Sequence, residues 1–72
     1  MPKTIHSSEY RRIIQKLKKA RLDSGLTQKE VAQKLKKPQS YISKVEAGEQ
    51  RIDILEIKEF SNLYGKKINF FI

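Results

Sequence analysis

Gln39, Ser40, Ser43 and Lys44 are the residues of this chain whose types and spacing best fit a task in chemistry. In a helix that opens near Gln39, steps of three and four place them on one side, while Ile42 and Val45 fall on the other. A carboxamide, two hydroxyls and an ammonium group make no reaction centre. They are hydrogen-bonding groups suited to base edges and phosphate oxygens. The bland alternative is that Gln39 and Ser40 merely start a helix and that Lys44 is solvated. Tyr41, on the flank, either stacks on a sugar-phosphate or a thymine methyl, or orients the helix beside the core.

Reaction chemistry has little to stand on. His6 is the only histidine and has no Ser or Asp partner pattern, and there is no cysteine. No glycine-rich phosphate loop occurs, and the carboxylates fall on exposed helical faces. The expectation is a protein that is not an enzyme, binds no metal and needs no cofactor.

The partner is suggested by charge. Sixteen Lys and Arg oppose eight Asp and Glu, for a net charge of +8. Residues 1–37 carry all of that excess, and residues 38–72 are balanced. A lopsided basic chain suggests a polyanion, either nucleic acid or an anionic membrane surface. The apolar run Phe70-Phe71-Ile72 is far short of the roughly 20 residues that span a bilayer. The first six residues hold no apolar run, so no secretory signal is expected and a soluble, cytoplasmic protein is. With 72 residues and no disulfide, the core needs tidy helix packing or a partner subunit.

The elements that would position the polar row can be read from periodicity and punctuation. An amphipathic helix begins near Ser7 or Ser8, carries Tyr10, Ile13, Ile14, Leu17 and Ala20 on one stripe, and ends at Asp23-Ser24-Gly25. Arg11, Arg12, Lys16 and Lys19 lie mostly off that stripe, as a solvated face and a source of long-range field. Thr27-Gln28-Lys29-Glu30 has capping-box spacing, with Leu26 and Val31 as its hydrophobic staple. The short helix that it opens buries Val31, Ala32 and Leu35. Lys36-Lys37-Pro38 breaks the chain before the helix from Gln39 to Ala47. Asp53 caps a fourth helix bearing Ile54, Ile57, Phe60, Leu63 and Tyr64. Gly25, Gly48 and Gly65 stand where left-handed carboxyl caps are expected. The chain divides into an amino-terminal arm (1–7), a helical domain (8–65) and a tail (66–72).

Two short helices joined by a turn, after a longer amphipathic one, have the layout of a helix-turn-helix. From Thr27 to Gly48 the sequence specifically resembles the Cro and phage-repressor type, also called the xenobiotic-response-element family. The carriers are Thr-Gln-Lys-Glu-Val-Ala (27–32) and Pro-Gln-Ser-Tyr-Ile-Ser-Lys-Val-Glu-Ala-Gly (38–48), and the similarity extends over roughly residues 10–65. The resemblance implies an all-α, lambda-repressor-like domain of four to five helices that binds double-stranded DNA as a homodimeric transcriptional repressor. It implies a phosphate grip for Gln28, base contacts for Gln39, Ser40 and Lys44, and a base or phosphate contact for Ser43. Arg51 is a candidate backbone contact. Arg21 and Glu46 match a structural ion pair between helix 1 and the recognition helix. Pro38 departs from the pattern, because many members carry a Ser or Thr cap there.

The tail reads as a short β-strand in which Ile68, Phe70 and Ile72 share one face. A lone apolar strand invites a second copy, so the expectation is an antiparallel pairing across a two-fold dimer. The alternative is a tail that folds back irregularly on its own core. The tail also resembles the carboxyl strand of HipB-like antitoxins. Two further readings therefore stay open: the antitoxin of a toxin–antitoxin pair, with a cognate toxin as partner, and a module that binds protein or RNA.

Overall fold

A computed structural model describes residues 7–72; most of the expected arm, with His6, lies outside the described residues. The elements are α1 (Ser8–Asp23), α2 (Gln28–Leu35), α3 (Gln39–Glu46), α4 (Ile54–Tyr64) and a single 3-10 turn (Ile68–Phe70). The fold is all-α, as the periodicity requires.

Local chemistry explains most of the boundaries. The Ser7 hydroxyl accepts from the Tyr10 amide at the head of α1. Thr27 and Glu30 form the reciprocal box of α2: the Thr27 hydroxyl accepts from the Glu30 N–H (3.1 Å) and the Glu30 carboxylate from the Thr27 N–H (2.8 Å). Asp53 and Glu56 repeat the arrangement at α4, with both bonds at 2.8 Å. The three glycines take positive φ (+68 to +77°) in the turns that end α1, α3 and α4. Between α2 and α3 there is no glycine. Lys36 adopts the left-handed conformation (φ 58°) instead, and the Lys37 N–H closes back onto the Ala32 carbonyl at 2.9 Å.

The core gathers Ile14, Leu17 and Ala20 of α1, Val31 and Ala32 of α2, Ile42 and Val45 of α3, and Ile57, Phe60 and Tyr64 of α4. Ile52, in the loop before α4, joins them. Its N–H donates to the Tyr10 hydroxyl (3.0 Å), which donates in turn to the Gln50 carbonyl (3.1 Å). Tyr10 thereby ties α1 to the 50–52 loop.

The tail differs from expectation. Among the described residues there is no strand, and Ile68–Phe70 coil into the 3-10 turn. Phe71, rather than the set Ile68, Phe70 and Ile72, is the residue that enters the core, at 1 % exposure. The alternation rule fails because the turn rotates successive side chains by about a third of a circle instead of a half. Phe70 stays half-buried, edge-on to Phe71 at 5.1 Å, with the ammonium groups of Lys66 and Lys16 over its ring at 4.8 and 6.0 Å.

Candidate nucleic-acid interface

The polar row on α3 exists because its buried face is narrow. Ile42 and Val45 are completely buried, which turns Gln39, Ser40, Ser43 and Lys44 outward, and all four are exposed. One helical face is thus an unobstructed line of hydrogen-bonding groups, with a cation on its second turn.

Each flank of that line is fixed by a polar cluster. On one side stands Glu46, which takes the Arg21 guanidinium in a two-pronged pair, Nε to Oε2 at 2.7 Å and Nη2 to Oε1 at 3.1 Å. The side chains are 10 % and 6 % exposed, so the charges are largely shielded from water. A third Arg21 bond, from Nη1 to the Leu26 carbonyl (2.8 Å), carries the pair into the turn before α2. The Glu46 bond strengthens the hold of Arg21 on its proton, against the opposing effect of burial. Because Glu46 is the only acidic residue of α3, this pairing removes the one charge on the helix that would repel a phosphate.

Gln28 joins the same cluster. Its Nε2 donates to Glu46 Oε1 at 3.0 Å, and the residue is half-buried at the first position of α2. An amide nitrogen has two N–H bonds, so one remains for another acceptor. The Gln28 carboxamide is therefore carried on the carboxylate that anchors the neighbouring helix.

The other flank is built on Tyr41. Its hydroxyl donates to Glu56 Oε2 at 2.9 Å, and its ring lies parallel to Phe60, with centroids 6.4 Å apart. The Lys37 ammonium sits over the ring, 5.0 Å from the centroid. Burial, then the bond to Glu56, drives the Tyr41 hydroxyl strongly upward in pKa, so it is a neutral donor throughout the ordinary pH range. Glu56 uses its other oxygen for the Asp53 N–H, so a single carboxylate joins the α4 capping box to α3.

Of the site residues expected from sequence, Gln39, Ser40, Ser43 and Lys44 stand together on the open face. Gln28 reaches the cluster through Glu46. Tyr41 is half-buried with its hydroxyl engaged, and Arg51 is exposed in the loop between α3 and α4. Pro38 supplies no side-chain cap to α3. Sequence reasoning missed Glu56. The spacing Asp53-x-x-Glu56 carries the capping-box signal that would have placed it at the head of α4, but its reach to Tyr41 crosses between elements and has no local signature.

Among the described residues, no cluster of His, Cys, Asp or Glu could hold a metal ion, and no helix is long and apolar enough to cross a membrane. A helix-turn-helix family model matches residues 17–71, from the middle of α1 through the buried Phe71. A comparison with the curated proteins finds no match.

Proposed function

The chain belongs to the helix-turn-helix family of the Cro and phage-repressor type, and on that premise we propose that it is a homodimeric, sequence-specific repressor that lays α3 in the major groove. The observation that carries this reading is the exposed row Gln39, Ser40, Ser43 and Lys44 over the fully buried Ile42 and Val45. A helix presented in this way offers donors and acceptors that distinguish base pairs. Gln28 and Arg51 hold backbone phosphates, and the Arg21–Glu46 pair keeps α3 in position. The excess charge of residues 1–37 supplies attraction at a distance.

Two copies bind successive major grooves about 34 Å apart, one turn of the duplex. Support for the second copy comes from the tail, where Ile72 is 64 % exposed and Ile68 and Phe70 are half-buried. The test is titration of a duplex obtained by binding-site selection, with wild type and with the Gln39→Ala, Lys44→Ala pair. Binding that weakens steeply with salt, and a variant that loses most of its preference over a scrambled duplex, are expected. Salt-insensitive or absent binding would transfer the site to a protein or RNA partner.

A further inference from the structure

Phosphate backbones run along both edges of a major groove about 12 Å wide. A helix seated there meets one strand on each flank. Gln28 serves the Glu46 flank of α3. The Tyr41 flank carries an ammonium group held in a defined place.

Lys37 lies in the turn before α3, and its Nζ is 5.0 Å from the Tyr41 ring centroid, one helical turn along. The ring cannot swing away. Phe60 lies parallel to it, and Glu56 holds its hydroxyl at 2.9 Å. Tyr41 and Lys44 are three residues apart and so are neighbours on the surface of α3, which sets the ammonium at the border of the exposed row. Lys37 also forms no ion pair within 4.0 Å, as the described bridges are Lys19–Asp23 and Arg21–Glu46. A lysine normally loses much side-chain freedom on gripping a ligand. Here the ring has already taken up part of that loss. The negative charges of Glu56, Glu59 and Asp53 are all felt at the Tyr41 hydroxyl, and Lys37 is the cation set against its ring.

We infer that Lys37 is a second backbone-phosphate contact, clasped on the Tyr41 ring at the flank of α3 opposite Gln28. This assignment rests on the DNA-binding reading above. Its contact is to a phosphate and carries no sequence information.

The test measures affinity against salt for two duplexes of unrelated sequence, each about two helical turns long. Each neutralised phosphate contributes about 0.9 to the slope of log affinity against log salt. Lys37→Gln should lower that slope by about one per bound protomer, with an equal fold-loss on both duplexes, and Lys37→Arg should restore it. Lys58→Gln removes the same charge from α4 and should leave the slope unchanged. An unchanged slope in Lys37→Gln, or equal falls in Lys37→Gln and Lys58→Gln, would overturn the assignment while DNA binding stands. No salt-dependent binding by the wild type would overturn both.

Discussion

Gln28 donates its side-chain amide to Glu46 Oε1 at 3.0 Å, and that same oxygen receives Nη2 of Arg21. One buried carboxylate therefore fixes α1 against α3 and also holds the first side chain of α2. If Gln28 grips a phosphate as proposed, stability and DNA affinity meet at this atom.

Glu46→Ala should be among the most damaging substitutions in the chain. It strands a guanidinium in a residue only 8 % exposed, a situation that costs about 3–5 kcal/mol, much of what a small domain has. Arg21→Met with Glu46→Leu removes both charges together and should cost far less than the sum of the single changes. Urea unfolding of the four members of the cycle measures the coupling, expected at about 2 kcal/mol or more. Additive losses would mean that the pair contributes little. Gln28→Ala, by contrast, leaves the ion pair intact and should lower DNA affinity several-fold with no change in the salt slope, since a neutral amide displaces no counterion.

Lys36 ends α2 with φ 58°, the only positive φ at a non-glycine position among the described residues. An L side chain in that conformation costs roughly 1 kcal/mol or more, and glycine avoids the clash but loses more freedom on folding. Lys36→Gly should therefore stabilise the protein by about 0.5 kcal/mol, read as a rise in the thermal midpoint. Lys36→Val should do the opposite, because a β-branched side chain tolerates this region least.

Glu30 titrates below its ordinary value of 4.5, chiefly because its carboxylate accepts the Thr27 N–H, with the Thr27 side chain as the second cause. Its folded pKa is depressed, so the contribution is fully present above 4.5 and is lost as pH falls through the lower folded value. Wild type should exceed Glu30→Gln in thermal midpoint at neutral pH, and the two should converge in acid. A gap that persists below that window would show that the charge is not what the box uses.

Local signals carried most of this fold. Thr27-x-x-Glu30 announced a helix start because both of its bonds lie within four residues, and Gly25, Gly48 and Gly65 marked turns through backbone freedom alone. The spacing of Ile42 and Val45 was enough to predict which side of α3 would be open. What could not be read were links between distant residues: Tyr10 to the 50–52 loop, Tyr41 to Glu56, and the clasp of Lys37 on Tyr41. Tertiary packing sets these, and no short spacing encodes them. The tail failed for a related reason. Its composition favours strand, but with no strand beside it the segment gains more by turning Phe71 into the core.

That turn changes how the proposed dimer must be tested. Deleting residues 68–72 would remove Phe71, which is 1 % exposed, and the loss of so large a buried side chain costs about 3–5 kcal/mol. A smaller solution mass would then report unfolding as readily as a broken interface. Ile72 is 64 % exposed, so a charge there disturbs little within one protomer. Ile72→Lys should leave the urea midpoint near that of wild type, whereas Phe71→Ala should lower it sharply. If the tail forms the seam, Ile72→Lys also shifts the mass by light scattering from dimer toward monomer, because two copies of a new cation face each other across a two-fold axis. A dimer of undiminished mass would move the seam to another surface, and a monomeric wild type would remove it.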